Sequence, residues 1–418
     1  QDFFIQTVKG EKQLHYTYSK TDENLSQALV CKTNILGHNS KNRGHTSKIT
    51  AENNQLKTFR IAIAATAEFT NFWGDNDDSN GTNTADALGS VISTLNRISS
   101  VFEDELGVRL QLVSDQSILY EDPVTDPFTG SFADELQITL DEIIGNDNYD
   151  VGHLFDYGQP DGDAGCIGCV CESGLKGSGY STHPFRDIFG GEYRNDYFDL
   201  DYAAHEIGHQ FGAFHSFSFD SEGTGFNAEP GSGSTIMAYA GITGEDNVQL
   251  HGDPYFHYYS IQNILEQLPT FQCASTENNS FPAFTVDAGI DYSIPIGTAY
   301  ELSPANVESE SGSTYCWEQL DSGQVTSASF GPYDAIGALA RSLPPSESPT
   351  RTLPNMNQIL LGNLTQENPG PDDAWETVPL VARSMKWGLS VRKPVGSSIQ
   401  LAQDQLVINV LGSAGPFE

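Results

Sequence analysis

A chain of 418 residues is too long for one hydrophobic core and implies two or three domains. Its 20 basic and 56 acidic residues give a net charge of −36, spread along the chain, which argues against nucleic acid or an anionic membrane as partner. No apolar run approaches the ~18 residues needed to span a bilayer, and residue 1 is Gln, so we expect a removed signal or pro-segment and a secreted, extracellular protein.

Residues 1–57 read as an N-terminal extension, with strand-like alternation at 13–18 and a polar, basic stretch at 41–48. Residues 59–69 alternate as a strand, and 84–104 carry Ala87, Leu88, Val91, Leu95 and Ile98 at helical spacing. Between them, Asp75, Asp77 and Asp78 supply closely spaced oxygens, with Asp86 twelfth from Asp75, as in a calcium loop. Asn80 stands where such loops need Gly, so a solvated turn is the preferred reading and Ca2+ the alternative. A second strand follows at 108–113, a helix at 133–144 ended by Gly145, and a third strand at 151–155. Asp161-Gly162-Asp163 reads as a turn, and Gly177-Ser178-Gly179-Tyr180 as a candidate for the edge strand over a cleft. Residues 58–275 thus form an α/β (α+β) unit. After a polar linker at 274–282, residues 282–418 show short β-like runs at 292–296, 314–320, 385–391 and 406–410, with no helix evident. We expect an all-β sandwich there, with Trp317 beside Cys316 in its core. Its first strands, from Val286 to Gly297, resemble those of immunoglobulin-like or PKD-like modules. A spacer and a surface-binding module are both open for it.

The stretch from His205 to His215 is the most informative: His205-Glu206-Ile207-Gly208-His209-Gln210-Phe211-Gly212-Ala213-Phe214-His215. On a helix His205 and His209 lie on one face and reach one Zn2+ ion at ~2.0–2.1 Å. Glu206, one residue on, stands beside the metal without ligating it, as a general base must. His215 reaches the same ion only if the helix breaks, and Gly212 can turn the chain at positive φ. Three neutral protein ligands leave the fourth position to water, so the pattern points to hydrolysis over a closed structural site.

HExxHxxGxxH followed by a methionine turn is the signature of metzincin metallopeptidases, and Ser234-Thr235-Ile236-Met237-Ala238-Tyr239 resembles that turn. The segments 165–171 and 229–239 resemble those of secreted bacterial reprolysin-like (adamalysin-type) enzymes, over roughly residues 59–275. Ser216 departs from the Asp that animal reprolysins usually carry there. The resemblance implies a secreted zinc endopeptidase acting on protein or peptide substrates, which an edge strand binds by strand addition. Met237 would floor the three histidines. Tyr239 would either assist as a metal and oxyanion contact, as in astacins and serralysins, or simply pack. The alternative from another class is a cell-surface or matrix-binding adhesion protein with a structural zinc fold, for which loss of Glu206 would be typical.

Among six cysteines, Cys166, Cys169, Cys171 and Cys273 are expected in disulfides, with Cys273 one partner of the cluster, in preference to a second metal site. Cys31 precedes the catalytic unit alone. In metzincin pro-segments one cysteine often fills the water position, which would make this chain a latent zymogen opened by proteolysis between about 41 and 57. The competing reading is a disulfide from Cys31 to another cysteine.

Overall fold

The structure, a computed structural model, describes residues 3–9, 15–19, 23–27, 29–35, 55–278 apart from 78 and 80, 282, 284–306, 312–396 and 398–416. Strands β1 (Phe3–Thr7) and β2 (His15–Ser19) pair antiparallel as a ribbon. The N-terminal half then runs β3 (Gln55–Ala65), α1 (Ala67–Trp73), α2 (Asn83–Leu106), β4 (Val108–Leu112), α3 (Phe132–Leu140), β5 (Val151–Tyr157), β6 (Asp161–Asp163), β7 (Gly179–His183), α4 (His205–Gln210), α5 (Tyr258–Gln267) and β8 (Ser275–Asn278). The C-terminal half follows with β9 (Tyr292–Pro295), β10 (Tyr300–Leu302), β11 (Thr314–Gln319), β12 (Arg351–Leu353), α6 (Met356–Leu361), β13 (Arg383–Val395) and β14 (Ser398–Leu411).

The first sheet has the order β4-β3-β5-β7-β6, parallel except for β6, with β8 added antiparallel to the start of β3. Its strand β3 is apolar from Ile61 to Ala65 because both faces are covered. One cover is α2, which turns Ala87, Val91, Leu95, Ile98 and Phe102 into the core that also holds Phe59, Ile61, Phe211 and Met237. Thr82 caps this helix, accepting the Ala85 N–H, and Gly107 ends it at φ 63°.

Two sequence expectations change. The strand expected to run to residue 69 stops at Ala65, because Thr66 accepts the Phe69 N–H at 3.1 Å and starts α1. The edge of the sheet is β6, the Asp-Gly-Asp segment that reads locally as a turn, while Gly179 and Tyr180 belong to the inner strand β7. Tertiary pairing overrides local turn propensity there. Part of the expected linker is β8, and residues 279–281 of it lie outside the described residues.

The C-terminal half forms a four-stranded sheet, β11-β13-β14-β9, with β9 parallel to β14, and a ribbon of β10 and β12. Trp387, Met385, Leu389, Ile408 and Trp317 fill its core. A six-residue helix, α6, interrupts the otherwise β-rich half with none of its residues buried. Among the described residues no helix is long and apolar enough to cross a membrane.

Candidate metal centre

Helical winding begins at Phe198, runs through π-type turns to Ala204 and tightens into α4 at His205. Such wide turns recur at functional sites. His205 and His209 share one face, their ring centroids 4.8 Å apart. The helix stops at Gln210, and Gly212 sits at φ 110°, where a Cβ would lie 2.6 Å from Cγ of Gln267. Its N–H closes on His209 O at 2.8 Å, and the Ala213 N–H on Gly208 O at 3.0 Å. The chain reverses and brings the His215 ring to 4.6 Å from that of His209 and 5.2 Å from that of His205.

Every Nδ1 of the three rings has an acceptor. His205 donates to Ile236 O at 2.7 Å, His209 to Ala213 O at 2.8 Å and His215 to Glu222 Oε1 at 2.8 Å. With Nδ1 so engaged, Nε2 is the atom each ring has left to offer a metal. Two of these, on His209 and His215, lie 3.0 Å apart, and His205 Nε2 is buried without a partner. With both Nδ1 atoms donating, lone pairs this close repel, and the His205 nitrogen lacks any donor; one cation among the three rings answers both. Burial, with His215 beside it, lowers the His205 pKa to about 3, so that ring stays neutral. The donor set fits a zinc ion: the three Nε2 atoms and the Cys31 sulfur all lie within 4.8 Å of one another.

Cys31 arrives on the N-terminal segment. Its backbone lies along the edge strand, with Gly162 N–H donating to Val30 O at 3.0 Å and Lys32 N–H to Gly162 O at 2.7 Å, a parallel bridge at Cys31 and Gly162. The sulfur lies 3.8 Å from His209 Nε2 and also meets the Glu206 carboxyl and the Tyr239 hydroxyl. Two residues on, the Thr33 hydroxyl donates to Glu206 Oε2 at 2.9 Å. Earlier contacts hold the same segment down: Ser26 Oγ is 2.8 Å from His183 Nε2, and Asn24 N–H donates to Arg194 O at 3.0 Å. The basic stretch at 41–48 lies outside the described residues.

Glu206 is fully buried, its Oε1 without a hydrogen-bond partner and facing Gly162, where a Cβ would come within 2.6 Å of that oxygen. Only a glycine on the edge strand leaves room for it. Burial raises the Glu206 carboxyl to about 8. Below the helix, Met237 is buried with its sulfur against the α4 backbone, so close that a Cβ on Gly208 would meet it at 2.6 Å. The turn carrying Met237 is tied to the third histidine by the Ser216 N–H on Met237 O at 3.1 Å. The Tyr239 ring packs 4.6 Å from the His215 ring and 4.4 Å from that of Phe217.

The sequence reading did not single out four residues that build this centre. Glu222 orients His215, and buried Glu229 holds the methionine turn through the N–H groups of Ser234 and Thr235 at 2.8 and 3.3 Å. Thr33 reaches the Glu206 carboxylate, and Gly162 makes room for it. No motif marks them, because each acts through a contact across the fold. The cysteines of the cluster close as Cys166–Cys169 and Cys171–Cys273, leaving Cys31 and Cys316 as free thiols. In the Asp75 segment, Asp75 and Asp77 accept N–H groups of their own turn at 2.8 and 3.0 Å, while Asp78 and Asn80 lie outside the described residues.

Among known families, the model described as metallo-peptidase family M12B reprolysin-like matches residues 55–268, just over half of the chain. No curated protein matches the chain.

Proposed function

The chain belongs to the reprolysin-like metallopeptidases of family M12B, and on that premise we propose that it is a secreted zinc endopeptidase held latent by its own N-terminal segment. The observation that carries the reading is the convergence of three imidazole Nε2 atoms and the Cys31 sulfur on one point. His205, His209 and His215 would hold a zinc ion, which would supply Lewis acidity toward the scissile carbonyl and toward water.

The chain's own groups do the rest. Glu206 takes a proton from the attacking water and hands it to the leaving amine, a role suited to a buried carboxylate beside the ligands. The Tyr239 hydroxyl, which meets the same Cys31 sulfur, donates to the carbonyl oxygen as charge develops on it. Gly162 offers one N–H and one C=O to an extended peptide, a backbone reading that accepts many sequences and cuts within a chain.

Each of these groups is already taken by the N-terminal segment, which supports latency. Val30 and Lys32 use Gly162, Thr33 holds Glu206, and Cys31 fills the space among the histidines. The two disulfides support an oxidising, extracellular setting.

The test compares intact chain with chain cut after residue 35. The cut form should cleave casein, lose that activity to a chelator and regain it with zinc, while the intact form stays slow. Denatured, unreduced protein should titrate for the free thiols of Cys31 and Cys316. A zinc-loaded, cut chain inert on casein would refute the peptidase, and full activity with the segment still bound would refute latency.

A further inference from the structure

Residues 323–327 belong to the C-terminal half but pair with the half that carries the metal centre. Val325 N–H donates to Ser218 O at 2.8 Å and Val325 O accepts the Gly231 N–H at 2.9 Å, so this residue completes backbone pairing just after His215. Gly323 N–H donates to Asn227 O at 3.2 Å, and the Gln324 amide to Phe219 O at 3.0 Å. Further along, Ser327 N–H donates to Asp246 Oδ1 at 2.6 Å, and Asp372 N–H to Val248 O at 2.9 Å. Val248, Val325, Phe330 and Trp375 form a closed apolar cluster. The Gly231 backbone, at φ 56°, lies so near Trp375 that a Cβ would meet Cη2 at 2.7 Å.

These contacts bracket one loop. It leaves the centre at Tyr239, whose ring lies 4.6 Å from that of His215, and ends at Val248. Asn247 Oδ1 closes it from within, accepting from Gly241 N and Thr243 N at 3.0 Å each and from the Thr243 hydroxyl at 2.8 Å. Its return arm is held from outside by Ser327, Asp372 and the Trp375 cluster, all from the C-terminal half. The loop therefore begins against a metal-centre histidine and ends on the C-terminal half, so its conformation sets the surface beside that histidine.

We propose that Val325, Ser327 and Trp375 are positioning residues: the C-terminal half fixes the loop 239–248, and through it selects the substrate side chain accepted beside the metal. This rests on the peptidase reading above. Loss of a buried partner frees the loop to adopt other conformations, so discrimination between side chains should suffer more than turnover of the best substrate.

The experiment uses the full chain, cut only after residue 35, with Asp246→Ala, Trp375→Ala and Trp375→Phe. Against peptides varied at the residue following the scissile bond, Asp246→Ala and Trp375→Ala should change the ratio of kcat/KM between best and poorer side chains by about fivefold or more, at unchanged zinc content. Trp375→Phe, which keeps a ring over Gly231, should stay nearer wild type. Amide exchange of residues 240–248 should quicken in the two alanine variants. If Trp375→Ala fails to fold, Asp246→Ala on its partly exposed loop decides. Unchanged ratios or unchanged loop protection would overturn the proposal. Amide exchange reads the anchoring without any turnover, so an inactive wild type would count against the peptidase alone.

Discussion

The Thr33 hydroxyl donates to Glu206 Oε2 at 2.9 Å and accepts the Ala164 N–H at 2.8 Å, so one side chain joins the proposed base to the end of the edge strand. Thr33→Val keeps the shape and deletes both bonds. It should weaken the hold of the segment by ~1–3 kcal/mol, which is a rise of roughly 5–150-fold in residual casein cleavage by the uncut chain. Initial rates of uncut wild type, Thr33→Val and Cys31→Ala measure it. A Thr33→Val rate equal to wild type would show that the hydroxyl restrains nothing.

Glu206→Ala removes no metal ligand. Zinc content and fold should persist while turnover of the cut enzyme drops by ~10²–10⁴. His209→Ala should lose the metal instead, since its Nε2 is one of the converging atoms. Elemental analysis beside casein kinetics separates the two outcomes. Near wild-type cleavage by Glu206→Ala at full zinc occupancy would remove the carboxylate from the mechanism.

Tyr239→Phe deletes only the hydroxyl and keeps the ring against His215 and Phe217. If that hydroxyl acts on the developing oxyanion, kcat falls by about 10-fold or more while KM holds. Unchanged steady-state constants would assign the tyrosine to packing.

His251 sits between two carboxylates, Asp201 at 2.7 Å and Asp196 at 3.0 Å, with Arg97 on the far side of Asp196 at 2.9 Å and Glu23 beside the pair. Burial alone would lower the His251 pKa, but Asp201 and Asp196 outweigh it and raise it to about 10. A raised folded-state pKa means stability fully present below the unfolded value of ~6.5 and lost as pH climbs through ~10. His251→Gln should therefore cost on the order of 3 kcal/mol in urea unfolding at pH 6, and distinctly less at pH 10. An equal cost at both would show that the ring is not charged in the native state.

The centre was legible wherever chemistry is concentrated in sequence. His205, Glu206, His209, Gly212 and His215 occupy one short stretch, in which helix geometry puts His205 and His209 on one face and a break at Gly212 returns His215 to them. Long periodic elements such as α2 were equally readable. What could not be read depends on distant pairing. Asp161-Gly162-Asp163 looks like a turn until β7 pairs with it, and Thr33 has no local reason to be found at Glu206. The C-terminal strands were visible as runs, but not that Val325 would pair with Ser218 and Gly231. Such contacts span many residues, and no local pattern encodes them.

The Cys171–Cys273 bridge spans a sequence separation of 102 and encloses all three histidines, Glu206 and the methionine turn. A peptidase at high concentration meets its own kind, and Asp220, Ser221 and Gly223 are exposed within that span. A nick there would release nothing, because both fragments stay tethered through sulfur and through the sheet. The damaged molecule would run at full mass on a non-reducing gel and split into fragments only after reduction, so the bridge makes self-inflicted breaks hard to see.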